Sequence, residues 1–278
     1  MAKEITLTAA MRANLVSLQN TEVLLNRTQE RLATGKKVNS ALDNPLNYFA
    51  AAGHTERANQ LITRKDGMGE AIQTIKAANT GVEGVKALLE NLRGLVEAAR
   101  SSTDVSVQKD QANEVVSQII NLVKDSGYKG VNLLTTGGSL EVLFNETGDN
   151  KLTLTGFKTI VSGGTMSALS GDSLISSNMT AFNSAGSNLA AIDKAITSAI
   201  SALSAQASKL SSNLAIINAR LDFTNQMVNT LKEGADKLTL ADTNEEGANM
   251  LALQTRQQLG VTSLSLASQA AQSVLRLF

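Results

Sequence analysis

The chain has 278 residues, 25 Lys+Arg balanced by 25 Asp+Glu, no Cys, no Trp, one Pro, one His and 3% aromatic residues. Without cysteine there is no disulfide, thiol nucleophile or iron–sulfur cluster, and imidazole chemistry would rest on His54 alone. Balanced charge supplies no basic field for nucleic acid or anionic lipid, and no run reaches the roughly 18–20 apolar residues that span a bilayer, so neither nucleic-acid binding nor membrane insertion is expected.

Met1-Ala2-Lys3-Glu4 leads into mixed polar sequence rather than the apolar core of a signal peptide, so no cleavable secretion signal is expected. From Met11 the series Met11, Leu15, Leu18, Glu22, Leu25, Gln29, Leu32 alternates steps of four and three and predicts a helix with a narrow apolar seam. Gly35 stops it, and Lys36 to Ser40 form an irregular link. Asn44 then reads as an N-cap, with Pro45 at the first helical position, where a missing N–H leaves nothing unsatisfied.

Met68, Ala71, Ile75, Ala78, Val82, Val85, Leu89, Leu92, Val96 and Ala99 follow a strict three-four alternation, a predicted rod of about 32 residues or about 48 Å. After the polar link 101–104, Ala112, Val115, Ile119 and Leu122 predict a third helix, ended near Lys124-Asp125-Ser126-Gly127. From about 128 to 182 the texture turns to Gly, Ser and Thr. Within it Leu140, Val142 and Phe144, a polar turn over 145–150, and Leu152 and Leu154 read as a hairpin, the single β-like region.

Helical period resumes at Leu189, Ile192, Ile196, Ala199 and Leu203 and continues through Ala207 to Leu238, with a stutter where two steps of four adjoin at Leu203. Beyond Asp242 a last seam carries Met250, Leu253, Leu264, Ala267, Ala271, Val274 and Phe278, with Gln257 and Gly260 at its intermediate positions. The expected fold is mainly α: an elongated antiparallel helical bundle or coiled coil of N- and C-terminal segments with a small β-hairpin insert. Two amphipathic end segments, neither able to bury its seam alone, point to assembly with other copies.

The two ends also carry a resemblance. Arg31-Leu32-Ala33-Thr34-Gly35-Lys36-Lys37-Val38-Asn39-Ser40-Ala41-Leu42-Asp43-Asn44-Pro45 is similar to the N-terminal signature of bacterial flagellins, carried by Arg31, Leu32, Gly35, Asn39, Ser40 and Asp43. Arg220-Leu221-Asp222, Ala241-Asp242, Gln257-Gln258-Leu259-Gly260 and Ser273 to Phe278 resemble the C-terminal one, and the wording is closest to short alphaproteobacterial flagellins. The resemblance implies a secreted structural subunit that polymerises into the flagellar filament for swimming motility, exported unfolded by the flagellar type III apparatus without a cleaved signal. It implies, as partners, other copies in a helical filament, an export chaperone at the C-terminus, and the filament cap and hook-junction proteins.

On that mapping residues 1–44 and 240–278 are the two halves of an inner coiled-coil assembly domain. Residues 45–135 and 185–239 are the rods of a second layer, and 136–184 are a residual outer insert. Inter-subunit packing is assigned to Met11, Leu15, Leu18, Leu25, Leu32, Met250, Leu253, Leu264, Ala267, Ala271, Val274 and Phe278. The family segment read by the flagellin-sensing Toll-like receptor matches at Leu95 and Glu114, but its arginine falls on Asn91, so weak or absent recognition is expected.

No catalytic, cofactor-binding or metal site is predicted. His54 sits alone on a helix and reads as solvated or capping; a His-Glu-x-x-His site would need a second histidine. Glu245 and Glu246, adjacent and therefore not facing each other on a helix, read as N-terminal helix charge. Lys36-Lys37 reads as a solvated link or a contact between subunits. The sequons at Asn26, Asn145 and Asn178 read as chance, while Ser and Thr of 135–185 are O-glycan candidates by family analogy. Two alternatives remain: a hook–filament junction protein of the same superfamily, and a signalling or adaptor coiled coil. The second would predict uninterrupted heptads rather than a Gly-rich β-like middle.

Overall fold

A computed structural model describes residues 9–157 and 186–275. In chain order they form α1 (Ala9–Thr34), α2 (Pro45–Arg100), α3 (Ser106–Asp125), β1 (Ser139–Leu143), β2 (Lys151–Thr155), α4 (Gly186–Thr239) and α5 (Thr243–Leu275). The chain divides into two compact units, one made of residues 1–56 and 230–278, the other of 57–229. The boundaries fall inside α2 and α4 rather than at the linkers 44/45 and 239/240.

Local chemistry explains the ends of these elements. Gly35 takes φ +69° immediately after α1, the left-handed conformation that closes a helix C-terminus and that a side chain would strain. Asn44 Oδ1 accepts the Asn47 N–H at 3.1 Å ahead of Pro45. The expected rod from Met68 is part of one longer helix, because nothing between Pro45 and Met68 interrupts the backbone ladder. At α3, Asp104 Oδ1 accepts the Ser106 N–H at 3.0 Å, and Asn132 Nδ2 donates to the terminal carbonyls of Val123 (2.7 Å) and Lys124 (3.2 Å). Asp242 Oδ1 accepts the N–H groups of Asn244 and Glu245 and starts α5. The stutter at Leu203 leaves α4 unbroken.

In the unit of residues 57–229, one apolar core joins α2, α3, α4 and the hairpin. Met68, Ile75, Val82, Leu89, Leu92 and Val96 of α2, Ala112, Ile119 and Val123 of α3, and Ile192, Ile196, Leu203 and Ile217 of α4 are essentially solvent-free. The antiparallel hairpin pairs Leu140 with Leu154 and Val142 with Leu152, and its Val142 and Leu154 side chains enter the same core. A two-stranded ribbon is marginal alone. Here it is held from one side by this core and at its turn by Arg57, whose Nε lies 2.6 Å from Glu146 Oε1.

In the other unit α1 and α5 pack on each other, and the register is antiparallel: Asn14 faces Ser263, Leu18 faces Gly260 and Arg31 faces Glu246. The two linkers of this unit also pair. Lys37 and Val38 donate their N–H groups to the Thr239 carbonyl at 2.8 and 3.3 Å, and Ala241 donates to the Gly35 carbonyl at 3.0 Å. Lys36 and Lys37 therefore belong to a short backbone clasp with Leu240, a contact their side-chain types gave no hint of.

Candidate assembly interface

The seam of α1 runs along Met11, Asn14, Leu18, Thr21, Leu25, Thr28 and Leu32. Met11, Leu18, Leu25 and Leu32 lie where the apolar period puts them, buried or half-buried. The alternate positions differ from expectation: the stripe takes Asn14, Thr21 and Thr28, and Leu15 is 39% exposed on the flank. Thr21 and Thr28 are buried, and the Thr21 hydroxyl donates to the Ser17 carbonyl at 2.8 Å within its own helix. A hydroxyl satisfied by the preceding turn enters an apolar seam without an orphaned donor, which is why an apolar count alone misses it.

On α5 the facing stripe contains Met250, Leu253, Gln257, Gly260, Leu264, Ala267 and Ala271, all half-buried. Phe278 and the side chain of Val274 lie outside the described residues. Close approach is set by Gly260: a Cβ there would sit 2.8 Å from Leu18 Cδ2, so the leucine occupies the space a side chain would fill. At the other end Arg31 Nη1 lies 2.7 Å from Glu246 Oε1, with the carboxylate side chain only 9% exposed. Glu246 therefore does more than complement the first turn of α5. Its position four residues ahead of Met250 and seven ahead of Leu253 is the sequence signal that places it on the seam.

Beside this ion pair lies a cavity of about 330 Å³ lined by Leu24, Arg27, Thr28, Arg31, Asn249 and Arg256, among others. Outside the seam the pair is apolar again, with Val16, Val23 and Leu24 of α1 and Leu251, Leu259, Val261 and Leu266 of α5 exposed. Near the clasp Leu42 is 96% exposed, and Leu46 and Phe49 follow it at steps of four and three. The sequence reading passed over these three: Leu46 and Phe49 share a face of the first turn of α2, and Leu42 lies in the turn before it.

The remaining candidates have structural surroundings. Asn39, Ser40 and Asp43 form a turn in which Asp43 Oδ2 accepts the Asn39 and Ser40 N–H groups, both at 3.0 Å, and the Ser40 hydroxyl. The backbone N–H of Ser40 is the main cause, and that of Asn39 the next, of a carboxyl held below its ordinary range. In the unit of residues 57–229, Arg220 lies 5.3 Å from the centre of the Phe144 ring, Leu221 packs against the core and Asp222 is exposed. On α2 Asn91 is exposed and Leu95 half-buried against the core, while Glu114 is exposed on α3. His54 is half-buried on α2, its Cδ2 3.8 Å from where a Cβ of Gly234 would be. Among the described residues no three His, Cys, Asp or Glu converge as metal ligands, and no helix is long and apolar enough to cross a membrane. Asn178 and the O-glycan candidates beyond 157 fall largely outside the described residues.

A model of the bacterial flagellin N-terminal helical region matches residues 5–137, and one of the bacterial flagellin C-terminal helical region matches residues 193–278. The chain belongs to the flagellin family. Flagellin FljM of Caulobacter vibrioides is 28% identical over 274 residues, covering 95% of both chains. A Brucella melitensis flagellin is 28% identical over 296 residues, covering 100% of this chain and 99% of the relative. Among solved structures, a Bacillus cereus flagellin matches 54% of this chain and 88% of its own, with 14% identity and a TM-score of 0.36. As a flagellin the chain is a structural subunit of the extracellular flagellar filament and not an enzyme. The two matched regions take in α1 and α5 together with α2, α3 and most of α4.

Proposed function

We propose that the α1–α5 pair is the element by which this flagellin joins its neighbours, and that the outer faces of the pair make the contacts between subunits. The observation that carries this reading is a division of labour on the two helices. Their seam residues cover one another within the chain, while Val16, Val23, Leu24, Leu251, Leu259, Val261 and Leu266 remain in water. Apolar surface on this scale, on a helix pair already packed on its seam, is what a second surface is made to cover. The assembly residues proposed here are thus those flankers, with Leu15, Leu42, Leu46 and Phe49; Met11, Leu18, Leu25 and Leu32 act indirectly, by building the pair.

In the filament, residues 1–44 and 240–278 form the inner layer, 45–135 and 185–239 the rods of a second layer, and 136–184 the reduced outer part. The subunit leaves the cell unfolded through the flagellar export apparatus, escorted by a chaperone on its C-terminal segment. It then adds between the hook-junction proteins and the cap. Electron microscopy of concentrated or salted-out protein tests the reading: filaments are expected, and amorphous precipitate or persistent monomer under a range of salt would overturn it.

Receptor recognition is weak on this reading. Leu95 is half-buried and Glu114 exposed, but Asn91 presents a neutral amide one helical turn from Leu95 where the family's receptor segment has a guanidinium. Asn91→Arg is expected to raise the response of receptor-bearing reporter cells by about tenfold or more, the effect of restoring one interface anchor. Equal responses from both proteins would sink the proposal.

A further inference from the structure

The seam of α1 and α5 has a weakness that apolar packing does not cure. Both stripes repeat every heptad, so sliding one helix by a heptad, about 10 Å, again sets apolar residues against apolar residues. In one such slide Leu25 takes the Gly260 gap in place of Leu18, Leu18 meets Ala267 and Leu32 meets Leu253. Leu18, Leu25 and Leu32 each keep an apolar or glycine partner. Gly260 therefore fixes which faces meet and how closely, but not which heptad of α1 meets it.

Two side-chain contacts differ between the alternatives, besides the backbone clasp of residues 35–38 with 239–241, which a slide must also open. Arg31 Nη1 and Glu246 Oε1 are 2.7 Å apart, and Asn14 Nδ2 donates to Ser263 Oγ at 3.3 Å. Of the ion pairs in the unit of residues 1–56 and 230–278, this is the one that joins α1 to α5 among the described residues. The slide removes both contacts: Arg31 comes opposite Leu253, Asn14 opposite Ala270, and Glu246 passes beyond the end of α1 without its cation. The slide in the opposite sense sets Glu246 of the seam against Leu24, and a carboxylate kept buried without its cation is far more unfavourable than the pair is favourable, so such a pair acts chiefly against the wrong alignment.

We propose that Arg31 and Glu246, assisted by Asn14 and Ser263, select the single heptad register in which α1 and α5 pair. They are positioning residues for assembly. A slid pair would carry Leu259 and Leu266 about 10 Å along α1 relative to Val16 and Val23, so the outer face would differ from one subunit to the next. That consequence rests on the filament reading above; the register itself does not.

The absence of cysteine from the chain makes a disulfide reporter unambiguous. Leu18→Cys with Gly260→Cys reports the native register, and Leu18→Cys with Ala267→Cys the slid one, each in the full chain under assembly conditions. Intramolecular cross-links are read by mobility on non-reducing gels. The first pair should dominate in the parent. Arg31→Met or Glu246→Gln should shift the ratio toward the second by about tenfold, a change typical of breaking a partly buried charged contact. Arg31→Glu combined with Glu246→Arg should return the ratio to that of the parent. A merely structural role would not be rescued by the exchange. Single variants that keep the parent ratio, an exchange that fails to recover it, or a parent that never links 18 to 260 would each overturn the proposal. Filament yield of the cysteine-free chain reads the assembly function separately.

Discussion

The two compact units bury apolar residues in opposite styles. In residues 57–229, Leu89, Leu92, Ile192 and Ile196 are fully enclosed, and among the described residues only Val107, Ile216 and Phe223 are large, apolar and exposed. In residues 1–56 and 230–278 the balance inverts. All the other exposed large apolar side chains lie there, from Leu15 to Leu266, and the α1–α5 seam contains Asn14, Thr21, Thr28 and Gln257. Similar Leu-, Ile-, Val- and Ala-rich helices serve both. The difference is the number of partners: a helix inside a multi-helix core has its apolar stripe closed within the chain, whereas two helices alone cover only a narrow strip of each other. The first style makes an autonomous fold, and the second makes a surface completed by something else.

The contrast breaks most severely if a charge enters the closed core. Leu92→Asp places a carboxylate among Leu89, Val96 and the α3 and α4 side chains with no cation at hand, and should unfold residues 57–229 outright. The milder Leu92→Ala should cost about 2–5 kcal/mol. Chemical denaturation followed by circular dichroism checks both. If Leu92→Asp melted like the parent, the enclosed core would be the wrong description.

Polar replacement of Leu18, Leu25 and Leu32 tests the other unit at its seam. Filaments should be lost, while most helix content, contributed by α2, α3 and α4, persists. Limited proteolysis should then cut α1 and α5 faster than in the parent and spare about residues 57–229. Loss of the whole far-ultraviolet signal would mean that the seam supports the entire chain and that the two units are not separable.

How far this contrast was legible in the sequence follows from what periodicity can and cannot see. The α2 stripe was readable residue by residue from Met68 to Ala99, because every seam position there is apolar and each one is buried. In α1 half of the stripe was readable. Counting apolar residues chose Leu15, while the fold chose Asn14, because a three-four stripe can be drawn through Met11 and Leu18 by either neighbour and only the partner helix decides. Glu246 was visible as helix N-terminal charge, but its pairing with Arg31 spans most of the chain and leaves no local signal. The clasp of Lys37 and Val38 on Thr239 was equally hidden, since backbone hydrogen bonds carry no side-chain signature.

A smaller effect on the monomer should separate seam from flank. Leu259→Gln with Leu266→Gln alters exposed side chains, so monomer stability should stay within about 0.5 kcal/mol of the parent. The protein concentration needed for polymerisation should nevertheless rise at least several-fold, because these residues no longer gain from leaving water. Sedimentation of polymer against concentration measures it. Unchanged assembly would show that the α5 flank is not used.

The smallest effect concerns the turn that leads from α1 to α2. Asp43 Oδ2 holds the N–H groups of Ser40 and Asn39, which keep its carboxyl below the ordinary value, with Arg27 adding a weaker attraction. A carboxyl depressed in the folded state stabilises fully above its unfolded value, and the contribution fades as pH falls through the lowered folded value. Acidification through that range should therefore loosen this turn while the enclosed core of residues 57–229, whose buried side chains are apolar apart from the non-titrating hydroxyls of Thr74 and Thr224, stays closed. Amide exchange read at Asn39 and Ser40 should accelerate relative to residues such as Leu92, after correction for the intrinsic pH dependence. Asp43→Asn should remove that differential, because a neutral side chain has no proton to gain. A turn that responds to acid equally with and without the carboxylate would locate the sensitivity elsewhere, and the exposed linker would no longer be the acid-labile counterpart of the enclosed core.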